Sequence, residues 1–201
     1  MKSEKRKKTE EKVPLAKALT LYLHDIVYLL CIMLVVLLLL FRVVVVSGTS
    51  MNMTLLDGDY LLLLSNTFYH EPKQGDIIVV SKDSFDNGSA FVKRVIATEG
   101  QTVDIDFEQG IVYVDGVALE EDYINNLTTT SGGVRFPLVV EEGCVFALGD
   151  NRSISMDSRY PIIGQIDSRE ILGKAIFLVL PGTNTVMNPQ PRDFTRIGVI
   201  E

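Results

Sequence analysis

The run IVYLLCIMLVVLLLLFRVVVV, residues 26–46, decides how the rest of the chain is organised. At about 1.5 Å of helical rise per residue it spans about 30 Å, the hydrocarbon thickness of a bilayer. Its only charged residue is Arg42, near the outer end, where the long side chain can reach the headgroups. A cleaved signal peptide would have an apolar region of only about 7–15 residues that ends in an Ala-x-Ala-like site, and this run has neither feature. The sequence therefore predicts a retained membrane anchor at residues 23–42.

The charges around the anchor predict its orientation. Residues 1–25 hold seven lysines and arginines against four acidic residues, whereas the whole chain has a formal net charge of −7. Because lysines and arginines beside a membrane span stay in the cytoplasm, we expect a cytoplasmic basic tail at 1–22. Residues 43–201 then form an extracytoplasmic domain, held at the cell membrane by a single pass. The acidic balance excludes non-specific nucleic-acid binding, which needs a basic face.

Beyond the anchor, short apolar runs separated by Gly and Asp turns predict a mainly β fold. Four consecutive valines at 43–46 favour a first strand over a longer helix. Asp115-Gly116 between two apolar runs is a strong hairpin signal, since these residues tolerate positive φ. We expect an antiparallel sheet or barrel-like catalytic domain, with residues 120–143 as a polar surface excursion. The other predicted strands are 60–64, 77–80, 91–98, 103–107, 111–114, 117–118, 145–148 and 176–180.

The cysteines and histidines indicate neither a disulfide nor a metal centre. Cys31 lies in the apolar run and Cys144 in the later domain, so a bond between them is not expected. Neither cysteine has metal-site spacing, and His24 and His70 stand far apart. We therefore expect no metal and no cofactor. A Ser-His-Asp triad is also not expected, because His24 precedes the anchor and His70 lies in a polar loop.

A serine and a lysine are the candidates for chemistry. Ser50 lies in VSGTSMNMTL, residues 46–55, just after the anchor, and Lys93 lies in the apolar run FVKRVI, residues 91–96. A serine hydroxyl needs a base within hydrogen-bond reach. Lysine can act as that base only when neutral, which requires its pKa to fall from about 10.4 to near 8, or about 3–4 kcal/mol. Burial among apolar side chains can supply such a shift.

Strand alternation puts Lys93 on the same face as Phe91 and Val95, and Arg94 on the other. The alternative interpretation is that Lys93 lies on a solvated face while Arg94 points inward to an ion pair.

A third polar stretch, GDNRSISMDSR at residues 149–159, follows an apolar run. Its side chains can form a hydrogen-bonded network beside an active site. Asp157 and Arg159 can pair across the loop, and Ser155 can orient the lysine amine. The alternative is an exposed loop whose surface ion pair contributes little to stability.

These three stretches, in this order behind one anchor, resemble the bacterial type I signal peptidase family, from the anchor to about residue 174. That family has segments like Ser-x-Ser-Met-x-Pro-Thr-Leu, Val-Lys-Arg-Val-Ile-Gly and Gly-Asp-Asn-Arg-x-x-Ser-x-Asp-Ser-Arg, which are similar to residues 49–55, 92–97 and 149–159 here. The chain departs from them with Gly48 where some members add a serine hydroxyl to the oxyanion hole. It also has Met53 in place of the usual proline and Ala97 in place of the common glycine.

The resemblance implies roles for several residues. Ser50 would be the acylating nucleophile and Lys93 its general base, with the oxyanion bound by the backbone N–H of Ser50. Ser155 would help to hold the lysine. Asp157 and Arg159 would form a supporting ion pair.

The resemblance also implies an antiparallel β fold and secreted preproteins as substrates, with their signal peptides extended against strand edges. Met51, Leu55 and Val92 adjoin the motifs and could line the small apolar pocket for the residues near the scissile bond. The partners would be preproteins and the lipid bilayer. Two other functions fit the residues: a Ser-Lys membrane protease with different targets, and a catalytically silent, membrane-anchored β-domain that binds a partner.

Overall fold

A computed structural model describes residues 15–183 and 191–200 of the 201-residue chain. It begins with helix α1, Leu15–Leu40, of which Leu19–Leu40 is long and apolar enough to cross a membrane. At about 1.5 Å per residue this span is about 33 Å long. The helix extends beyond the predicted 23–42 on the N-terminal side and stops two residues short of it on the C-terminal side. Most of the predicted basic tail, residues 1–14, lies outside the described residues.

The helix ends at Leu40 because the next five residues form a strand. β1 covers Phe41–Val45 and pairs antiparallel with β2, Tyr60–Ser65, in a ladder that joins Phe41 to Leu64 and Val45 to Tyr60. β-branched side chains favour this extended backbone. Arg42, expected at the outer end of the anchor, therefore lies in β1 opposite Leu63.

The regular structure in the rest of the described chain is strand, apart from three short 3-10 helices, and turns and loops join these elements. The remaining strands are β3 Ile77–Ser81, β4 Ala90–Thr98, β5 Thr102–Asp106, β6 Ile111–Val114, β7 Val117–Ala118, β8 Leu138–Val139, β9 Cys144–Leu148, β10 Ile166–Asp167, β11 Ile171–Leu180 and β12 Gly198–Val199. Every pairing is antiparallel, which confirms the predicted fold class.

The strands form two sheets. The larger has the order β1-β2-β11-β3-β4-β9-β10, with β12 added beside β11, and the smaller has the order β7-β6-β5-β8. The tight hairpin between β6 and β7 places Asp115 and Gly116 at φ 53° and 79°, as the Asp-Gly signal predicts. The polar excursion 120–143 is not wholly irregular, since it contains β8, which pairs with β5.

Strand β4 positions the site because its two halves have different neighbours. It pairs with β3 along Ala90–Arg94, and with β9 along Arg94–Thr98. Among residues 15–183 and 191–200, no strand pairs with the edge of residues 90–93 that faces away from β3. Apolar clusters pack on both faces of the sheet, one around Met51, Leu55 and Leu63 and another around Val95 and Ile78. This packing fixes β4 between two cores.

Candidate active site

The Ser50 turn follows β1 and is held by its own buried residues. Met51 and Leu55 are each 1% exposed and belong to the same apolar cluster, and the Leu55 N–H donates to the Met51 carbonyl at 2.8 Å. The carboxylate of Asp59 accepts the Leu56 N–H at 2.7 Å, which closes the turn. Ser50 is half-buried at the start of this turn, with Met51 anchored below it.

Lys93 is brought to Ser50 by β4. Its amine donates to Ser50 Oγ at 2.9 Å and to the Val92 carbonyl at 2.9 Å. The residue is 3% exposed, and its Nζ lies 5.5 Å from the centre of the Phe91 ring. The two residues that the sequence selected, 43 positions apart, are therefore in direct contact.

Burial changes the acid–base chemistry of this amine. Loss of hydration lowers the pKa of Lys93 to about 8, because the charged form is the one that burial disfavours. The carboxylates of Asp157 and Asp150 act in the opposite direction, and the Arg159 guanidinium adds to the lowering. A substantial fraction of a lysine with this pKa is neutral at mildly alkaline pH and can accept a proton from a hydroxyl.

Arg94, the next residue, is equally buried but has a carboxylate partner. Its Nε and Nη2 donate to the two oxygens of Asp150 at 3.0 and 2.9 Å, and its guanidinium stacks 4.0 Å from the Tyr123 ring centre. Asp150 also accepts the Thr54 hydroxyl at 2.5 Å. The alternative interpretation is therefore wrong about Lys93, which is buried. It is right about Arg94, which points inward to an ion pair with Asp150.

The loop at residues 149–159 packs directly against the Ser50 turn. The Asn151 N–H donates to the Ser50 carbonyl at 3.0 Å, and its amide nitrogen donates to the Thr49 carbonyl at 3.1 Å. At Gly149 an added Cβ would lie 2.6 Å from the Ser50 carbonyl oxygen and 2.5 Å from the Ser155 Cβ. Only glycine permits this close approach.

The Asp157–Arg159 pair is buried and organises the loop. Both side chains are 0% exposed, and Arg159 Nε and Nη2 bind the two oxygens of Asp157 at 2.8 and 2.9 Å. Arg159 also donates to the Thr130 and Arg152 carbonyls, and Asp157 accepts the Gly149 N–H. The alternative of a weak surface ion pair is therefore wrong. A buried pair with this many hydrogen bonds fixes one loop conformation.

Ser155 is buried beside Gly149, but its hydroxyl has no hydrogen-bond partner among the described residues. The second acceptor of the Lys93 amine is the Val92 carbonyl instead. The expected contact between Ser155 and the lysine is thus not formed in this arrangement, and its role stays a prediction.

Gly48 adopts φ 95°, a conformation that side-chain-bearing residues rarely take. Its N–H donates to Asp57 Oδ1 at 2.8 Å. A hydroxyl side chain at this position would therefore strain the backbone in the conformation seen here.

A cleft of about 570 Å³ opens beside the Ser50–Lys93 pair. Its apolar wall residues come from β1, β3, β4, the Ser50 turn, the segment before β4 and the loop at 149–159: Val44, Val46, Met51, Val79, Phe85, Phe91, Val92, Ile154 and Met156. Polar residues line the cleft as well: Ser47, Thr49, Asp86 and Ser89. Met51 and Val92, two predicted pocket residues, line it. Leu55, the third, is not among the lining residues; it is buried in the core beneath the turn, because its position four residues after Met51 directs it into the same cluster.

The polar excursion contributes residues that the sequence analysis did not select. Arg152 is 1% exposed and donates to both oxygens of Glu121, at 3.0 and 2.6 Å, and to the Thr128 hydroxyl at 2.6 Å. Tyr123 covers Arg94. The sequence offered one signal for these partners: the 149–159 motif contains two arginines and two aspartates, and each needs a partner if it is buried.

A serine hydroxyl bonded to a buried lysine amine, at the base of an apolar cleft, is the arrangement of a serine hydrolase whose base is lysine. The family described as "Signal peptidase, peptidase S26" matches residues 19–180. The probable signal peptidase I-1 of Synechocystis is 38% identical over 69% of this chain and 70% of its own length. Signal peptidase I of Bacillus licheniformis is 35% identical over 71% of this chain and 78% of its own length.

Among solved structures, a signal peptidase I from Enterococcus faecalis is 33% identical, covering 52% of this chain and 96% of that chain with a TM-score of 0.43. The chain belongs to the signal peptidase family, peptidase S26. It is a serine endopeptidase that cleaves signal peptides, and its substrates are preproteins. The resemblance found from the motifs is confirmed.

Proposed function

We propose that Ser50 is the nucleophile of this signal peptidase and Lys93 its general base. The observation that carries the proposal is the 2.9 Å hydrogen bond between Lys93 Nζ and Ser50 Oγ. Burial supports it, because an amine with a pKa near 8 is neutral often enough to work.

The proposed reaction follows from this geometry. Neutral Lys93 takes the Ser50 proton as Oγ attacks the carbonyl carbon of the scissile peptide bond. The resulting ammonium then gives that proton to the leaving amine, which frees the mature protein and leaves the signal peptide as an ester on Ser50. Lys93 next takes a proton from a water molecule as that water attacks the ester carbonyl. It returns this proton to Ser50 Oγ as the ester C–O bond breaks, which releases the signal peptide as a carboxylic acid and restores both residues. The Ser50 backbone N–H is the proposed donor to the oxyanion.

The supporting residues act on the position of these two groups. Asp157 and Arg159 would hold the loop that contacts Ser50, and Ser155, buried beside Gly149, would hold the lysine once a small movement brings its hydroxyl to the amine. Gly48 would shape the backbone on the other side of Ser50. None of these residues needs to exchange a proton with the substrate.

The proposed substrate path is the cleft. An extended signal peptide can hydrogen-bond to the edge of residues 90–93 that lacks a strand partner. Its side chains near the scissile bond would enter the apolar wall that includes Met51 and Val92. This part of the wall favours apolar side chains at the positions near the scissile bond.

The chain carries an N-terminal apolar helix that is long enough to cross a bilayer. We propose that it spans the cell membrane once, with the basic tail in the cytoplasm and residues 43–201 outside. Enzyme and preprotein would then share one bilayer, which raises their effective concentration for each other.

The proposal is tested with the full-length protein in detergent and a labelled preprotein. Ser50→Ala and Lys93→Ala should each abolish cleavage at the signal-peptide junction, because one removes the attacking oxygen and the other its base. Ser84→Ala, an exposed serine, and Lys73→Ala, an exposed lysine, are the matched controls and should cleave normally. Wild-type turnover by folded Lys93→Ala would exclude lysine as the base.

A further inference from the structure

The C-terminal segment at residues 191–200 lies beyond residues 19–180 that the family matches, yet it is built into the catalytic domain. β12 pairs with β11, joining Val199 to Phe177, and the Ile200 N–H donates to the Ile176 carbonyl at 3.2 Å. The Ile200 side chain packs against the apolar cluster that contains Met51 and Leu55. The segment therefore rests on the same core as the nucleophile turn.

Arg196 connects this segment to the turn by hydrogen bonds. Its Nη1 and Nη2 donate to the two oxygens of Asp59 at 3.0 and 2.7 Å, and Nη2 also donates to the Thr54 carbonyl at 3.2 Å. Asp59 is 0% exposed, and it also accepts the Leu56 N–H. One guanidinium thus binds both the carboxylate that closes the turn and a carbonyl within it.

Thr54 is consequently held on two sides. Its carbonyl accepts from Arg196, and its hydroxyl donates to Asp150, the partner of Arg94 on the strand that carries Lys93. Loss of the Arg196 contact would remove one of the restraints that hold the turn relative to β4, beside those from Asn151 and from the buried Met51. A displacement of about 1 Å in a reacting group can lower a rate by about a hundredfold.

We propose that Arg196 is a positioning residue for the reaction, which holds the Ser50 turn in register with Lys93. The inference rests on the proposed roles of Ser50 and Lys93. Arg196 does not line the cleft, so it acts on the geometry of the dyad and not on substrate binding. The guanidinium fork binds both oxygens of Asp59 through two nitrogens while Nη2 also contacts the Thr54 carbonyl, and the single nitrogen of a lysine cannot reproduce all three contacts in this geometry.

Arg192 provides a matched control within the same segment. Its Nη1 donates to the Pro181 carbonyl at 3.0 Å, so it also fastens the C-terminal segment to the domain, but no contact joins it to residues 50–56 among the described contacts. If Arg196 only fastened the C-terminal segment to the domain, Arg192 would share that role. A role in positioning Ser50 would not.

The test measures kcat and KM for a labelled preprotein with full-length Arg196→Ala and Arg192→Ala, at a temperature where both are folded. We expect Arg196→Ala to lower kcat about tenfold with KM within about twofold, and Arg192→Ala to leave both within about twofold. The pH at which the rate rises should be unchanged in Arg196→Ala, since Lys93 remains buried. Unchanged kcat in Arg196→Ala, equal losses in the two variants, or a shift of that pH toward the ordinary lysine pKa would overturn the inference.

Arg196→Lys covers the case in which the alanine variant does not fold. It keeps a cation beside Asp59 but loses the fork, so kcat should fall about threefold with KM unchanged. Wild-type kcat in Arg196→Lys would refute the need for the guanidinium fork. Ser50→Ala distinguishes failure of the positioning role from failure of the proposed nucleophile. If Ser50→Ala does not cleave while Arg196→Ala is fully active, only the positioning role of Arg196 is refuted. If Ser50→Ala cleaves, the proposed nucleophile is refuted.

Discussion

Two adjacent regions of the site treat a buried cation in opposite ways. Lys93 and Arg94 are neighbours on β4 and are each 3% exposed. The Arg94 guanidinium meets the Asp150 carboxylate through two hydrogen bonds. The Lys93 amine, in contrast, contacts a hydroxyl and a backbone carbonyl, and no carboxylate lies within salt-bridge distance of it in the part of the chain that the structure describes.

The difference shows how one strand can hold a structural cation and a proton acceptor side by side. A buried charge without a counter-ion lowers its energy by losing the proton, whereas a paired charge keeps it. Guanidinium stays charged in any case, so arginine suits the paired position and lysine the unpaired one. The loop at 149–159 supplies Asp150 to one neighbour and keeps Asp157 engaged by Arg159, away from the other.

The comparison is tested most strongly by removing the carboxylate on the paired side. Asp150→Ala takes the counter-ion from a buried guanidinium and the acceptor from the Thr54 hydroxyl, so the free energy of unfolding should fall by about 3–5 kcal/mol. Urea denaturation measures the loss. Arg169→Ala, which removes an ion pair whose arginine side chain is 90% exposed, is the control and should leave the midpoint unchanged. An equally stable Asp150→Ala would contradict the structural role of the pair.

Lys93→Met should have the opposite effect. The pKa of Lys93 falls from 10.5 to about 8 on folding, so below pH 8 the native state bears the cost of a buried ammonium. Between pH 8 and 10.5 the native amine is neutral while the unfolded one is charged, and stability rises with pH. Methionine has no such cost, so the variant should be about 3 kcal/mol more stable at pH 7, with the advantage shrinking as the pH approaches 10. Arg94→Met, the matched change, should destabilise instead, because it leaves Asp150 buried without its fork.

The smallest expected effect is the pH dependence of cleavage. With a pKa of about 8 for Lys93, kcat/KM should rise about fivefold from pH 7 to pH 8 and level off above pH 9, as the base loses its proton. Initial rates at subsaturating preprotein measure the profile. A flat profile between pH 6 and pH 9, in an enzyme that stays folded, would mean that another group is the base.

Much of the fold followed from local patterns. The valines before Ser47 form a strand, and Asp115-Gly116 forms the turn of a hairpin, because backbone preference and turn chemistry act within a few residues. The two-residue strands β8, β10 and β12 did not follow, since each is defined only by the partner strand that it meets. The start of β1 was placed two residues late for the same reason: its first residues pair with β2.

The site divided along similar lines. The sequence selected Ser50, Lys93 and the Asp157–Arg159 pair because each lies in a short motif whose residue types indicate chemistry. Glu121 was not, because its partner Arg152 lies 31 residues away and nothing in the polar excursion marks it. Leu55 was assigned to the cleft from its place in the motif, whereas the direction of its side chain depends on how the turn packs.

The contact at Gly149 has a consequence for how this enzyme can diversify. The smallest possible enlargement there, a single methyl group, would press on the Ser155 side chain and on the Ser50 carbonyl at once. We therefore expect Gly149, which has neither charge nor reactivity, to tolerate substitution as poorly as a catalytic residue. We expect variation in preprotein preference along the cleft walls instead, where Ile154 and Met156 are exposed.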